Sequence, residues 1–338
     1  MKTALITGGL GFIGTHIAID LLKTKKVKKC ILLDNFGGYM NPTKKNFYDF
    51  RKKRLDLIKN KVIERCDTNN FKSVFEIIKK HQPEIIFHTA ALPLAKLDNL
   101  NTDEAKIGSV DSTVNILDAI ALLQKIKNKY RCKRFIYISS SMVYGDFKTN
   151  KVNELSPVKP KEAYGTMKLA GEIITKGIGV LNNIPYTIIR PSAVYGPTDM
   201  NRRVSQIFIE NAFNNKPIQI EGKNEKLDFT YIEDLAKGCV LAGTKENGVN
   251  QTFNITYGKA QTLYSFVICL KKIFPKLKFK IKPRDITKPS RGTLSINKAK
   301  KLLNFNPKYS LKIGVKKYVK FLIDSSIYKK KWKKKKKK

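Results

Sequence analysis

The segment EAYGTMKLAGE, residues 162–172, carries a tyrosine and a lysine whose spacing could serve proton-transfer chemistry. Tyr164 and Lys168 are four residues apart in a proline-free stretch that predicts a helix, so both side chains lie on one face. Tyrosine and lysine are both used in general acid–base catalysis. The same spacing recurs elsewhere, however, so spacing alone does not select a site. The other pairs are Tyr48/Lys52 and Tyr144/Lys148.

A second constellation lies at the start of the chain, where glycines follow an apolar run in TALITGGLGFIGTHIAIDLL. Gly8 permits a tight turn, Gly11 lets the backbone approach a pyrophosphate, and Gly14 allows close packing of helix against strand. Phe12 and Ile13 stand where the helix opens, and its unpaired N–H groups bind phosphate. Because the motif lies between a predicted strand and a predicted helix, it indicates a dinucleotide site.

An acidic residue stands at the distance that this motif requires. Asp34 ends the second apolar run, 20 residues after Gly14, where a carboxylate binds the hydroxyls of the adenosine ribose. That carboxylate repels a ribose phosphate, and the next residues, Asn35 and Phe36, offer no guanidinium to attract one. The sequence therefore favours NAD over NADP. We assign Asn35 to the same cofactor site, and Asp67, just past the third run, contacts adenine or faces water.

The elements that would position these residues alternate in type through the first half of the chain. Short β-branched runs separated by segments of helical length predict parallel strands with helices on both faces. These runs are TALIT, CILLD, KVIER, EIIFHTA, RFIYISS and YTIIR. We predict an α/β fold: a Rossmann-type doubly wound parallel sheet in residues 1–190 and a smaller α/β substrate domain in residues 191–325, with room for exchange of segments between them. Residues 326–338 are predicted to be a disordered lysine-rich tail.

The composition of the 338-residue chain sets outer bounds on its function. No apolar run reaches the roughly 18 residues of a membrane span, and the amino terminus lacks a cleavable signal pattern, so we expect a cytoplasmic protein. Five cysteines without metal-ligand spacing argue against a disulfide framework. The net charge of +40 is spread along the chain, which is typical of a solvated surface. Weak binding of the tail to anionic membranes or nucleic acid stays open.

Six features, in this order and spacing, resemble one protein family. They are TGGLGFIG, Asp34, HTAA, SSSMVYG, YGTMK and RPSAVYGP. From residue 1 to about 324 the sequence is similar to the extended short-chain dehydrogenase/reductases, in their nucleotide-sugar epimerase/dehydratase branch. The family's catalytic tyrosine lies on the helix after the fifth strand, as Tyr164 does. The resemblance therefore implies that Tyr144 and Tyr48 are surface or packing residues.

The resemblance implies that Ser140, Tyr164 and Lys168 form the catalytic site. In the family the tyrosine acts as a phenolate base on a sugar hydroxyl, and the lysine and the positive nicotinamide favour the phenolate. The serine shares the proton, and Lys168 with Tyr164 would also hold the nicotinamide ribose. Ala90 and Ala91 in HTAALP would let the backbone approach the cofactor closely.

The residues after Ser140 favour one reaction of the family over the others. Dehydratases carry an Asp–Glu pair there and decarboxylating relatives a glutamate, whereas this chain has Ser141 and Met142, and methionine transfers no proton. The resemblance thus implies an NAD-dependent C4 epimerase of a UDP-hexose or UDP-hexuronic acid, working through a 4-keto intermediate in surface polysaccharide synthesis. The alternatives are a 4-dehydrogenase or ketoreductase of a GDP- or dTDP-sugar, and a non-catalytic NAD-fold protein that binds RNA or membrane.

The family pattern is weakest where the substrate would bind. Ala193 and Leu227 stand where the family often has an asparagine and an arginine that contact the diphosphate, and Ser109 replaces an asparagine near the cofactor. A pyrophosphate prefers guanidinium partners, so we predict that three arginines, with Ser141, bind the substrate. The arginines, each equally consistent with a surface charge, are Arg202, Arg203 and Arg284.

Two further expectations concern metals and subunits. His88 is predicted to pack at a strand end, His16 lies on the first helix and His81 lies shortly before a proline, so we predict neither a histidine base nor a metal site. By analogy with the family, helices in residues 109–127 and 162–181 would pair with a second subunit to form a homodimer.

Overall fold

The computed structural model describes residue 1 and residues 3–37, 50–91, 102–199, 201, 203–325, 328, 329 and 332. Three predicted features fall wholly or largely outside the described residues: Tyr48 of the first competing pair, Arg202 of the substrate arginines, and most of the lysine tail. Within these ranges the chain builds a large sheet layer and a smaller second layer, and a cavity lies between them.

The strands alternate with helices up to Arg190 and become shorter beyond it. In chain order the strands are β1 (Thr3–Thr7), β2 (Lys29–Asp34), β3 (Lys61–Arg65), β4 (Ile85–His88), β5 (Arg134–Ile138), β6 (Lys151–Val152), β7 (Tyr186–Arg190), β8 (Val194–Tyr195), β9 (Ile218–Glu221), β10 (Lys226–Leu227), β11 (Thr230–Tyr231), β12 (Gln251–Asn254), β13 (Gln261–Thr262), β14 (Phe279–Lys282) and β15 (Thr293–Leu294). The helices are α1 (Phe12–Lys23), α2 (Arg51–Asp56), α3 (Phe71–His81), α4 (Thr102–Lys106), α5 (Ser112–Ile126), α6 (Ala163–Leu181), α7 (Val204–Phe213), α8 (Ile232–Thr244), α9 (Leu263–Lys271), α10 (Asn297–Leu303) and α11 (Leu311–Asp324). Shorter helical turns are a π turn at Ile107–Asp111 and 3-10 turns at Ser141–Tyr144 and Glu246–Gly248.

Seven strands of the described chain form one parallel sheet in the order β12–β7–β5–β4–β1–β2–β3. The order reverses at β1, which pairs with β2 on one side and with β4 on the other. All six apolar runs that were predicted as strands lie in this sheet, which confirms the doubly wound α/β fold. Ligands of such sheets bind beyond the carboxyl ends of the strands, at the point of reversal.

Apolar side chains cover both faces of the sheet, as expected for parallel strands that are buried on both sides. Successive residues of β1 show this alternation. Leu5 belongs to the apolar cluster that includes Ile116 of α5, whereas Ile6 belongs to the opposite cluster, which includes Ile17 of α1. The burial of both clusters fixes the positions of the strand ends that carry the predicted site.

Segments from beyond residue 190 complete the sheet layer. β12 pairs with β7, with Thr252 opposite Ile188, and Leu235 of α8 lies in the same apolar cluster as Ile17 of α1. The chain therefore returns to the sheet layer after residue 190.

The second layer consists of short strand pairs and helices around an aromatic core. β8 pairs with β11, β9 with β14 and β10 with β13, and α7, α9 and α11 pack around them. Tyr328 stacks on Phe213 with ring centroids 4.2 Å apart, and Trp332 packs edge-on to the same ring at 6.3 Å. Tyr328 is buried in this core and Trp332 packs against it, so both rings of the predicted tail remove apolar surface from water.

Candidate active site

The carboxyl ends of the central strands open into a large cavity between the two layers. Its volume is about 1290 Å³, more than the 300–1,000 Å³ or so of a site for one drug-sized ligand. Every predicted cofactor residue except Gly14 lines it. So do the predicted residues Ser140, Ser141, Arg203 and Arg284. One space therefore joins the predicted cofactor and substrate sites.

The glycine turn fits a pyrophosphate because side chains are excluded from it. Gly8 has a φ of +63°, in the left-handed region, and a Cβ there would lie 2.9 Å from the backbone nitrogen of Ala90. A Cβ on Gly14 would lie 2.5 Å from the Gly8 carbonyl oxygen. No side chain caps the start of α1 at Gly11, so the first N–H groups of the helix remain available to a phosphate.

Asp34 lies at the end of β2 beside this turn. Its Oδ2 accepts a hydrogen bond from the Leu10 N–H at 3.0 Å, and its Oδ1 accepts one from the Phe36 N–H at 2.9 Å. Arg51 also lines the cavity, which the sequence did not suggest. Its Nη1 donates to the Phe36 carbonyl oxygen at 3.0 Å. A glycine cradle with a fixed carboxylate beside it is the set of groups that suits NAD.

Asn35 and Asp67 meet at the same edge of the cavity. The Asn35 Nδ2 donates to Asp67 Oδ2 at 3.3 Å, and the Asn69 N–H donates to Asp67 Oδ1 at 2.9 Å. These bonds, with that of Asn69 the strongest, hold the pKa of Asp67 below its usual value. Asp67 thus remains an acceptor near the predicted adenine position.

Ser140, Tyr164 and Lys168 converge at the carboxyl end of β5. Ser140 caps the 3-10 turn that follows β5, since its Oγ accepts from the Met142 N–H at 3.2 Å. Tyr164 lies in the first turn of α6, where Ser140 is near enough to help lower its pKa. Lys168, one turn later, places its Nζ 5.9 Å from the centroid of the Tyr164 ring and donates to the Ile138 carbonyl oxygen at 3.0 Å.

The electrostatics of this group differ in one respect from the expectation. Burial raises the pKa of Tyr164, while the charge of Arg203 and the hydrogen bond with Ser140 lower it in part. Burial also lowers the pKa of Lys168 to about 7, against an opposing effect of Glu172. In the protein alone, therefore, Arg203 is a cation that favours the phenolate. A bound nicotinamide would add a second positive charge.

A buried ion pair that the sequence analysis missed supports these residues. Arg190 at the end of β7 donates to both carboxylate oxygens of Glu172, at 2.9 and 2.7 Å, and Ser139 Oγ donates to Glu172 Oε1 at 2.5 Å. Helical periodicity could have revealed the pair, because Glu172 follows Lys168 by four residues. Tyr144 is a buried packing residue here, since its hydroxyl accepts from Arg190 Nη1 at 3.0 Å.

The wall after Ser140 carries no acid. Ser141 and Met142 are buried and line the cavity, and the Ser141 N–H donates to the Pro191 carbonyl oxygen at 2.9 Å. Ala193 and Leu227, the two substrate-site departures from the family pattern, line the same cavity. Of these four side chains, the Ser141 hydroxyl is the one that can take part in proton transfer.

Guanidinium groups also line the cavity. Arg203, just before α7, donates from Nη1 to the Val194 carbonyl oxygen at 3.2 Å. Arg284 Nε lies 2.7 Å from Glu225 Oε1, so a phosphate would compete with that carboxylate. Arg291 also lines the cavity and was missed, because no motif marks it; burial lowers its pKa.

Two of the three histidines, His88 and His16, are affected by burial. His88 Nδ1 lies 2.7 Å from Thr7 Oγ1 and its Nε2 lies 3.1 Å from Thr113 Oγ1, and burial lowers its pKa to about 3. Burial, and then the charge of Arg54, lower the pKa of His16 to about 4. In the part of the chain that the structure describes, no three metal-ligating side chains are grouped to hold an ion.

Two curated relatives align with this chain over nearly their full length. An uncharacterized UDP-glucose epimerase of Bacillus subtilis is 30% identical over 332 residues, which cover 96% of this chain and 98% of that protein. A putative UDP-glucose 4-epimerase of Methanocaldococcus jannaschii is 31% identical over 336 residues, covering 94% and 97%.

A solved structure and a family model agree with these relatives. The UDP-glucuronic acid 4-epimerase of Bacillus cereus, in complex with UDP-glucuronic acid and NAD, superposes with a TM-score of 0.84 at 26% identity and covers 96% of this chain and all of that one. The model of the NAD dependent epimerase/dehydratase family matches residues 4–256. NAD is therefore the cofactor of this chain, and the chain belongs to the NAD-dependent epimerase/dehydratase family.

Proposed function

We propose that this enzyme is a UDP-sugar 4-epimerase. The observation that carries the proposal is the convergence of Tyr164, Ser140 and Lys168 in the cavity that also holds the NAD cradle, with Met142 in place of an acid. Relatives support it, since the protein of Methanocaldococcus jannaschii is named a putative UDP-glucose 4-epimerase and that of Thermodesulfobacterium geofontis a UDP-glucuronate 4-epimerase.

The chain's own groups supply the proton transfer. Tyr164 takes the proton of the C4 hydroxyl, Ser140 shares it through their hydrogen bond, and Lys168 holds the site together from the Ile138 carbonyl oxygen. NAD, held by the glycine turn and Asp34, would supply the hydride chemistry at C4. Epimerisation would require the keto sugar to turn within this cavity of about 1290 Å³.

The diphosphate of the substrate would bind to arginines that line the cavity. Arg203, Arg284 and Arg291 all line it, and guanidinium groups bind phosphate oxygens in bidentate fashion. Ser141 would contact the sugar beside Ser140. Arg202 keeps its predicted role as a further phosphate contact, although it lies outside the described residues.

A panel of nucleotide sugars tests the function. UDP-, GDP- and dTDP-sugars are incubated with the purified protein and trace NAD, and proton NMR is followed together with nicotinamide absorbance. A new C4 epimer at constant absorbance is expected. A keto sugar formed in step with NADH would make the protein a dehydrogenase. Tyr164→Phe is the control: it should lose turnover and still bind NAD.

A homodimer remains part of the proposal. Exposed apolar side chains lie on α5 and α6, and such patches mark subunit interfaces. They are Leu122, Ile126, Ile173, Val180 and Leu181. Light scattering on the purified protein should give twice the chain mass of 38.5 kDa. A monomer would contradict the proposal.

The cytoplasm is the proposed site of action, as the sequence led us to expect. Among the described residues, no helix has the length and apolar character needed to cross a membrane. Fractionation of the native cells, with the enzyme followed by its NAD-dependent activity, tests the location directly. Recovery with the membrane fraction would contradict it.

A further inference from the structure

Arg54 lies at the seam between the two layers, in the wall of the cavity. Its side chain is 3% exposed. Its Nη1 donates to the Leu10 carbonyl oxygen in the glycine turn, and its Nη2 donates to the Thr198 carbonyl oxygen, 2.8 Å away, in the loop that follows β8. One guanidinium group therefore joins the cofactor-binding turn of the sheet layer to the second layer.

The short helix α2, which carries Arg54, is itself anchored in both layers. Ile58, just past the helix, is buried in the apolar cluster of the sheet layer, and Leu55 packs against that cluster. Phe50, just before the helix, belongs to the aromatic core of the second layer, and its ring centroid lies 5.6 Å from that of Phe321 on α11. The position of Arg54 thus depends on the closure of both layers.

The Leu10 carbonyl oxygen, which accepts from Arg54, belongs to a residue that connects the parts of the cofactor site. The N–H of the same residue donates to Asp34 Oδ2, and the Gly11 N–H donates to the Gly8 carbonyl oxygen at 2.9 Å. Leu10 therefore connects the ribose-binding carboxylate with the turn that faces the pyrophosphate. By holding the Leu10 carbonyl, Arg54 keeps this turn in its phosphate-binding shape and adds positive charge near the amino end of α1.

An epimerase needs its cofactor to stay bound through the whole cycle, because the hydride that leaves C4 must return to the same sugar. If the reduced cofactor dissociated between the two transfers, a 4-keto sugar would be released. We propose that Arg54 is a positioning residue that fastens the glycine turn to the second layer and so retains NAD throughout turnover. Retention itself depends only on the NAD site, whereas the release of keto sugar rests on the proposed function.

Exchange of bound cofactor tests the proposal without any sugar. The holoenzyme is loaded with radiolabelled NAD and chased with excess unlabelled NAD, and the dissociation rate is measured. Arg54→Gln should release NAD about 10- to 100-fold faster, since charge-assisted hydrogen bonds are lost. Arg54→Lys should lie in between, because an ammonium lacks the forked geometry. Lys52→Met, an exposed lysine of the same helix, should match the wild type.

Thermal unfolding of the NAD-free proteins separates retention from folding. The proposal expects the NAD-free Arg54→Lys protein to unfold within a few degrees of the wild type while it loses NAD faster. Equal dissociation rates in the wild type and in Arg54→Gln would overturn it. Failure of both variants to fold would also overturn it, by assigning Arg54 to folding. A wild type that retains NAD but turns over no sugar would instead contradict the proposed function alone.

Discussion

Tyr164 and Lys168 share a buried environment that works against the charge of each. Burial raises the pKa of the phenol and lowers that of the ammonium to about 7. Neither group is therefore fully ionised in the NAD-free protein near neutral pH. The positive charge of a bound nicotinamide would favour the phenolate form of Tyr164.

Lys168 should make stability depend on pH. Its pKa is about 7 in the folded protein and 10.5 as a model value, so between these values the folded state binds fewer protons there than the unfolded chain. The free energy of unfolding then rises with pH. Lys168 destabilises the folded state most near pH 7 and below. As the pH falls from about 10 to about 7, the free energy of unfolding of Lys168→Met should therefore rise relative to that of the wild type, by up to a few kcal/mol.

Urea unfolding of the NAD-free proteins at several pH values measures this difference. Lys52→Met, which removes an exposed lysine, provides the control and should show no such trend. A Lys168→Met difference that stays constant with pH would contradict the prediction.

Glu162 should set the choice between a neutral and an acidic sugar. It lines the cavity two residues before Tyr164, and its Oε2 has no hydrogen-bond partner among the described residues. Burial raises its pKa, while Arg291 and Lys288 oppose this effect. C6 of the sugar is two bonds from C4, so a hexuronate would bring a second carboxylate near Glu162, and we expect a neutral hexose to be preferred.

Replacement of Glu162 by glutamine tests this preference. Glu162→Gln should raise kcat/KM for UDP-glucuronate relative to UDP-glucose about tenfold, which corresponds to ~1.4 kcal/mol. Competition between the two sugars in one tube gives the ratio directly, and Glu76→Gln on the exposed face of α3 serves as control. An unchanged ratio of the two kcat/KM values would show that Glu162 does not contribute to the specificity of the site.

Helix α6 couples catalysis to the core, because its inner face carries Tyr164, Lys168 and Glu172 in successive turns. The Glu172–Arg190 pair is bidentate and almost fully buried. Loss of one partner would leave an uncompensated charge under the catalytic residues.

Glu172→Gln should therefore lower the free energy of unfolding by about 3–5 kcal/mol. The double variant Glu172→Leu with Arg190→Met removes both charges and should be more stable than the single variant. Denaturant unfolding of the three proteins measures both differences. A single variant as stable as the wild type would show that the ion pair contributes no net free energy to folding.

The elements with local signals were predictable, whereas contacts between distant segments were not. The glycine turn, Asp34 and the Tyr164 helix each carry their pattern within a few residues. Arg54 gives no such signal, because its partners Leu10 and Thr198 lie 44 and 144 residues away along the chain. Arg291 was likewise visible only after the second layer had brought it to the cavity, and Tyr328 only after its ring was seen in the aromatic core.

At the scale of the whole molecule, the net charge of +40 should affect substrate capture. A nucleotide sugar is anionic, so a positive surface raises its rate of encounter, and salt screens the effect within about 8–10 Å. We expect kcat/KM to fall several-fold between low salt and about 0.3 M salt while kcat changes little. Initial rates at a series of salt concentrations measure this, and a salt-independent kcat/KM would contradict it.

A truncated chain separates the tail from the rest of the surface. A variant that ends at Trp332 keeps the packed aromatic residues and lowers the formal charge from +40 only to +34. Its salt dependence should therefore resemble that of the full chain. A large loss of salt dependence in this variant would instead locate the steering in the last lysines.

The return of β12 to the edge of the sheet has a consequence for biosynthesis. β12 and α8 cover β7 and α1, so a nascent chain that has reached only Arg190 leaves the edge of β7 and the apolar face of α1 exposed to solvent. The sheet layer closes once Asn254 has left the ribosome. Such late closure makes the emerging polypeptide a client for chaperones over this interval.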